Sequence, residues 1–481
     1  MTQIPLGSGF YQSVSPIISN QLCTNWYPNY PQSTALASQS LIPTPGIELL
    51  TTTTTANAPS RGGIVFNGQP YQVNGNILYR IDEIINKNVK TYEAIELGTI
   101  VGEGRVSLSK NNTQICIVVP NSVAYIFSEK TGLVEITDTG FLGPANVVVY
   151  LGGYFIFATE TLLFASNLND GLNFNALDNT GAEVDPDNIV TLHVYKNQLY
   201  VLGVDTTEVF ENVGNPTGFP LQRVEGFIID KGVVGAFAVA DFQDSFVFVG
   251  SGVNEQPAVW RVRGSEPEKI SSTAVDTAID QLTATQLAST IALSYAQEGA
   301  YFAIFSFIED TFAFDSTAST MAERPIWHKR ESIIGTNTQK WRVISVLEAY
   351  GRLIVGDTIS ADIGALNLDL NQEYGVRVSR EWSSPPIAKE DLRRIFLKQL
   401  MVTVDPGLAS SGDDPILRMS ISDDGGKTYS NEVGRSMGLT GERDTLMIWN
   451  RLGSYTRYFN VRLRFSGDNR CVMSRIDAMW A

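Results

Sequence analysis

From Arg61 onward, apolar residues recur at about every second position, in short runs broken by Gly, Asn and Asp. That period, with turn residues between the runs, predicts β-strands joined by tight hairpins. Similar units recur along the chain: Gly68-Gln69-Pro70-Tyr71-Gln72-Val73, Thr113-Gln114-Ile115-Cys116-Ile117-Val118 and Gly152-Gly153-Tyr154-Phe155-Ile156-Phe157. Asn197-Gln198-Leu199-Tyr200-Val201-Leu202, Asp244-Ser245-Phe246-Val247-Phe248-Val249, Gly299-Ala300-Tyr301-Phe302-Ala303-Ile304 and Gly351-Arg352-Leu353-Ile354-Val355-Gly356 follow. Several lead into a second strand, such as Ala124-Tyr125-Ile126-Phe127, Leu162-Leu163-Phe164-Ala165, Thr207-Glu208-Val209-Phe210 or Ala258-Val259-Trp260-Arg261. The units begin about 40 to 55 residues apart, close to the ~40–50 that propeller blades take. One small antiparallel sheet cannot bury both of its faces, whereas blades stacked radially bury them against each other and expose only short edges. An all-β, propeller-like domain of six or seven blades is therefore expected over residues 56–370. Two stacked β-sandwiches are the competing arrangement, and the regular spacing favours the propeller.

The pattern breaks in three places. Residues 1–55 read as an extended, irregular arm, because Pro5, Pro16, Pro28, Pro31, Pro43 and Pro45 interrupt helices and remove strand donors. The arm ends in the run Thr51 to Thr55, yet carries Phe10, Tyr11, Trp26, Tyr27 and Tyr30, too many aromatics for a disordered tail. These five are candidate contacts with another subunit or a partner; the alternative is that they pack on their own domain. Removing residues 1–50 is expected to leave a folded propeller that cannot assemble. Between Thr273 and Gln297, Val275, Ile279 and Leu282, then Leu287, Ile291 and Tyr295, take helical spacing. Two short inserted helices are expected there, with Thr285 capping the second. After Asp369 a C-terminal β-sandwich is expected over residues 371–481. Its strands are read at Gly375–Arg380, Glu381–Pro386, Ile395–Val402, Leu417–Ser422, Leu446–Trp449 and Tyr458–Phe465.

Charge and composition narrow the chemistry. The 481 residues are 43% apolar, enough for two or three domains, and no window reaches the ~20 apolar residues of a membrane span. Met1-Thr2-Gln3-Ile4-Pro5 lacks a basic stretch followed by an apolar one, so secretion is not expected and assembly in the cytoplasm is. Cys23, Cys116 and Cys471 are odd in number and far apart, as free buried thiols would be, and the two histidines, His193 and His328, stand alone. No metal or cofactor is expected. Acidic residues outnumber basic ones, 51 to 35, for a net charge of −16, which argues against a protein that clamps nucleic acid.

Ser422-Asp423-Asp424-Gly425-Gly426-Lys427-Thr428-Tyr429 is the most specific local pattern. It resembles the Asp-box of sialidase propellers, a structural hairpin in which Ser422, Asp424, Gly426, Thr428 and Tyr429 would hold a turn rather than catalyse. Gly425-Gly426-Lys427-Thr428 mimics the end of a phosphate-binding loop, but Ile421 stands where that motif needs glycine. Gly102-Glu103-Gly104-Arg105 reads as a turn, and His193, within a strand-like run, as a structural histidine.

Taken in order, Asn25-Trp26-Tyr27-Pro28, Leu41-Ile42-Pro43-Thr44-Pro45-Gly46-Ile47, Gly104-Arg105-Val106-Ser107, Ile270-Ser271-Ser272-Thr273 and the Asp-box-like hairpin followed by Trp449 are similar to the packaged-DNA stabilisation, or tail hub (nozzle), proteins of short-tailed bacteriophages. The resemblance implies a non-enzymatic virion protein without catalytic residues. It further implies a homohexameric ring below the portal–adaptor complex, bound to the head–tail adaptor, tail spikes or fibres, and a needle or plug. Such a ring retains packaged DNA and later forms its exit conduit. DNA would pass the lumen without specific binding, and no membrane insertion is implied. The competing function is a glycan-binding or sialidase-like propeller, which would need a pocket with clustered arginines and a carboxylate or tyrosine nucleophile. A repeat scaffold unrelated to viruses is a third possibility.

Overall fold

The computed structural model describes all residues except 1, 8, 14, 16–17, 32–36, 55–57, 182–186, 216–217, 265, 390–391, 406–413 and 443–444. Pro16 and Thr55, singled out above, lie outside the described residues. The chain folds as a β-propeller followed by a β-sandwich, with three short helices among the described residues. Seven four-stranded antiparallel units follow one another. Five are separate sheets, running from Ser60–Phe66 to Val89–Thr99, Ser107–Lys110 to Gly132–Glu135, Val147–Leu151 to Asp170–Gly181, Ile189–Tyr195 to Leu221–Ile229, and Val239–Phe242 to Glu266–Lys269. The sixth runs from Ile291–Gln297 to Trp327–Ile334, and the seventh joins Val343–Ala349, Arg352–Asp357 and Asp362–Asn367. The first strands of successive units neighbour one another around the ring, and Val343–Ala349 meets Ser60–Phe66 to close it. Between the fourth and fifth units, Thr191 Oγ1 donates to the Ala236 carbonyl at 2.8 Å.

The turns explain why the sequence units stood out. Asn67-Gly68, Lys196-Asn197, Glu298-Gly299 and Tyr350-Gly351 each place two successive residues at positive φ, the twist that joins adjacent antiparallel strands in two residues. The strand after each turn lies mid-blade and is largely buried. The corresponding mid-blade strands of the second and fifth blades, Ile115–Val118 and Ser245–Gly250, are buried throughout, so they read as continuous apolar runs rather than alternating ones. Between the second and third blades, Phe141 meets Phe157, Phe164 and Phe174 edge-on, with centroids 5.1–5.3 Å apart. Truncating buried Phe157 to alanine would cost about 3–5 kcal/mol.

The N-terminal residues do not form a separate arm. Gly46–Thr52 is the fourth strand of the seventh blade, paired from Gly46↔Asn367 to Thr52↔Asp362. The last blade is thus completed by the start of the chain, which ties the ring shut. Thr2–Ile4, Trp26–Asn29 and Ser40–Pro43 join Ile395–Val404, Met447–Asn450 and Met473–Trp480 in one sheet of the sandwich. The other sheet holds Arg380–Ser383, Tyr458–Phe465, Ile416–Ser422 and Val433–Ser436. Cys23–Thr24 is inserted between that sheet and the sixth blade, with Thr24 paired to both Lys329 and Glu381. Propeller and sandwich therefore share a continuous sheet. The prolines were read as strand breakers, but the strands they interrupt are short and Pro28 and Pro43 sit at pairing positions of an edge hairpin.

Other expectations are corrected in detail. Helix α1 is Thr273–Asp280 and α2 is Ala284–Ala288. The cap of α2 is Thr283, not Thr285: its hydroxyl accepts from the Gln286 amide at 3.3 Å while the Gln286 side chain accepts from the Thr283 amide at 2.9 Å. Ile291 and Tyr295 lie on the strand Ile291–Gln297, since a short buried run fits either period. A third helix, α3 (Ser316–Ala322), was not foreseen and is capped by Asp315. Val376–Arg377 belongs with the seventh blade, paired through Gln372–Glu373 to Ile47, rather than with the sandwich. The sandwich's central strand Met473–Trp480 was not read from the sequence.

Candidate functional site

Polar and aromatic groups converge where the N-terminal segment crosses from propeller to sandwich. Asn25 sits there with φ +55°, a left-handed conformation that asparagine tolerates. Its Nδ2 donates to the carbonyls of Glu331 (2.9 Å) and Ser379 (2.8 Å), and its Oδ1 accepts from the Glu331 amide at 3.0 Å. Its backbone carbonyl accepts from the Thr44 amide at 3.0 Å. One side chain thus holds the sixth blade, the start of the sandwich and the N-terminal segment together. Trp26 donates to the Cys471 carbonyl at 2.9 Å, Trp382 to the Leu6 carbonyl at 2.7 Å, and Arg380 to the Thr44 carbonyl at 2.8 Å. Gly9 allows the chain to press on the sixth blade: a Cβ there would lie 2.0 Å from the Trp327 carbonyl oxygen.

These contacts bear on the five aromatics proposed as partner contacts. Phe10, Trp26 and Tyr27 are buried within this chain, Phe10 against Phe312 (5.1 Å between centroids) and Tyr27 against Phe302 (5.1 Å). They serve the joint between domains and are not free for a neighbour; apolar area that large is more stably covered by the chain's own core. Tyr11 and Tyr30 are half-buried.

The Asp-box-like hairpin forms a closed hydrogen-bonded turn. Asp424 accepts from the Lys427 and Thr428 amides (2.9 and 3.0 Å) and from the Thr428 hydroxyl (2.6 Å). Ser422 Oγ accepts from the Gly426 amide at 2.8 Å, and Gly426 adopts φ +84°. Those donors hold the Asp424 carboxyl well below the ordinary range. The Arg462 guanidinium stacks 4.0 Å from the Tyr429 ring centroid, and Asn20 donates to the Gly425 carbonyl at 2.9 Å. Every acceptor lobe of Asp424 faces its own turn, which gives a scaffold and no reacting group.

Asp315, Glu373 and His328 are titratable groups of the core. Burial lifts Asp315 to about 7 although its Oδ1 accepts from the Ala318 amide at 2.9 Å. Burial likewise lifts Glu373 to about 7; it accepts from Trp341 Nε1 at 3.1 Å, beside the buried Arg342–Asp357 pair. His328 is fully buried, held low by desolvation and then by Arg330, whose Nε donates to it at 3.2 Å. His193 lies 3.2 Å from Asp241 and packs on Phe246. Gly104 is a turn whose carbonyl accepts from Arg61 Nε at 2.6 Å. Cys23, Cys116 and Cys471 are free and buried, and among the described residues no group of three His, Cys, Asp or Glu could hold a metal.

The chain is thus a propeller closed by its own N-terminus and joined to a β-sandwich through a shared sheet. The chain belongs to the bacteriophage P22 Gp10 family, whose β-propeller description matches residues 2–371 and whose β-sandwich description matches residues 383–480. Among curated proteins it is similar to the tail hub protein gp10 of Salmonella phage P22, 23% identical over 413 residues covering 83% of this chain and 84% of that protein. That relative is a structural protein, and this chain is not an enzyme. Among solved structures, virginiamycin B lyase from Staphylococcus aureus is similar at TM-score 0.42 and 9% identity, over 67% of this chain and 98% of that one. The computationally designed Ika8 protein gives TM-score 0.37 and 10% identity, over 66% of this chain and 99% of that one. Neither likeness is near enough to carry an argument.

Proposed function

We propose that this chain is the hub, or nozzle, of a bacteriophage tail: a homohexameric ring below the portal–adaptor complex that retains packaged DNA and later becomes its exit conduit. The observation that carries this reading is the family match over both domains in order. The shared sheet through Cys23–Thr24 supports it, because a part that bears internal pressure benefits from domains that cannot swing apart. The acidic balance suits a wall along which DNA slides without being held. In this reading the protein is a virion component assembled in the host cytoplasm. Its partners are further copies of itself, the head–tail adaptor, spikes or fibres, and a needle or plug.

The test is nuclease protection. DNA-filled heads lacking this protein should leak DNA to added nuclease, and the purified chain should restore protection in proportion to its binding. Binding without any change in protection would remove DNA retention from the proposal.

A further inference from the structure

The first strands of successive blades meet around the ring and form its inner wall, and Arg105 stands two residues before that of the second blade, Ser107–Lys110. Its Nη1 donates to the Ile344 carbonyl at 2.6 Å, and its guanidinium carbon lies 5.1 Å from the centroid of the Phe237 ring. Ile344 is on the first strand of the seventh blade, and Phe237 stands two residues before that of the fifth. Neither blade is next to the second, whose first strand neighbours those of the first and third. A side chain that reaches the inner edges of three mutually non-adjacent blades has to cross the middle of the ring. Arg105 therefore lays its charge on the propeller axis, at the end where the first strands begin.

That charge has no counter-charge. Among the described residues no carboxylate pairs with Arg105, and its Nε is buried without a hydrogen-bond partner. Burial pushes the guanidinium down to about 10, and no neighbouring carboxylate lifts it back. A second guanidinium lies beside it. Arg61 is buried and donates to the carbonyls of Gly104 (2.6 Å), Gly75 (3.1 Å) and Glu103 (3.4 Å), and among the described residues it too forms no ion pair. Glu103 is exposed and gives Arg61 its carbonyl rather than its carboxylate. Two cations thus meet at one turn of a chain whose net charge is −16. Two hydroxyls at the starts of first strands are also buried without partners, Ser345 next to Ile344 and Thr290 at the sixth blade. One carbonyl and one ring face replace only part of the hydration that a guanidinium with five donors gives up.

We propose that Arg105 is the centre of an anion site on the propeller axis, taking a small tetrahedral oxyanion such as inorganic phosphate or sulfate. A guanidinium stays charged throughout the physiological pH range and presents its donors in a fork that matches two oxygens of such an ion. Arg61 adds attraction without a bond, because its donors are already spent on carbonyls. Arg105 is half-buried, so an ion reaches it from solvent, and in this partly desolvated setting the attraction exceeds that at an open surface. A bound ion would strengthen the hold of one side chain on the second, fifth and seventh blades. The site is complete within a single chain and is independent of the ring reading.

The test is calorimetric titration of the full-length chain with inorganic phosphate, in a buffer free of other multivalent anions. The native chain should give saturable one-to-one binding. Arg105→Gln keeps a polar side chain there and removes the charge, and it should weaken binding by roughly tenfold or more, the loss expected for a charge-assisted hydrogen bond. Glu103→Gln, at an exposed position whose carboxylate acts on Arg61, removes a repulsion and should tighten binding by roughly twofold or more. Sulfate should displace phosphate, and chloride at the same concentration should not. Cooperative thermal unfolding identifies the variants that fold. No saturable heat with the native chain, native affinity in folded Arg105→Gln, or displacement by chloride as readily as by sulfate would overturn the site. Where Arg105→Gln does not fold, unchanged affinity in Glu103→Gln would overturn it instead.

Discussion

Asn25 shows how much of the joint depends on single side chains. It makes three hydrogen bonds through its side chain to two other parts of the fold while its backbone is left-handed. Asn25→Ala loses all three and leaves buried carbonyls without donors, for a destabilisation of about 2–4 kcal/mol. Chemical denaturation should show it as a lower midpoint; a change under about 0.5 kcal/mol would contradict the role assigned. Asp315 makes a pH prediction. Its folded value, about 7, stands above its ordinary 3.8, so the folded chain takes up a proton between these values that the unfolded chain does not. Its contribution is therefore fully present at low pH and lost as the pH rises through about 7, and Glu373 acts in the same direction. Asp315→Asn keeps a capping side chain for α3 and removes the titration. It should melt higher than the native chain at pH 8, with a smaller difference at pH 5. Parallel melting curves across that range would contradict the assignment. The Asp-box-like residues were legible because each is needed at a fixed offset within one turn. Asn25 was part of a recognised motif, but nothing local to it shows bonds to Glu331 and Ser379, more than 300 residues away.

At the level of elements, the blades were legible because their central strands are covered on both faces and begin at two-residue turns. Both features leave marks within about ten residues of sequence. What stayed hidden depends on partners distant in the chain. Gly46–Thr52 has no pattern to show that it pairs with Asp362–Asn367, and Thr2–Ile4 none that places it beside Met473–Trp480. Of the aromatics in the first 30 residues, Phe10, Trp26 and Tyr27 are covered by the chain itself, and Tyr11 and Tyr30 are half-buried. This changes what truncation does. Removing residues 1–52 deletes the closing strand of the seventh blade and three strands of one sandwich sheet, instead of trimming an appendage. The truncated chain should lose cooperative thermal unfolding and bind a hydrophobic dye. A soluble chain melting within a few degrees of the intact one would contradict the architecture described.

The whole molecule is an acidic propeller closed by its own N-terminus and joined by a shared sheet to a mildly basic sandwich. Rigidity follows from the sheet that runs from the sixth blade through Cys23–Thr24 into the sandwich. Neither closure nor rigidity needs a reacting group: Asp315 and Glu373 are buried in the core, and Asp424 is held by its own turn. The central claim is that many copies form one ring at one vertex of a DNA-filled head. Electron microscopy of heads lacking this protein, after incubation with the purified chain, tests that most directly. The account predicts saturable density at a single vertex, below the portal, resolving as a ring of six propellers. Density scattered over the capsid, or a single unsymmetrical copy at saturation, would contradict it.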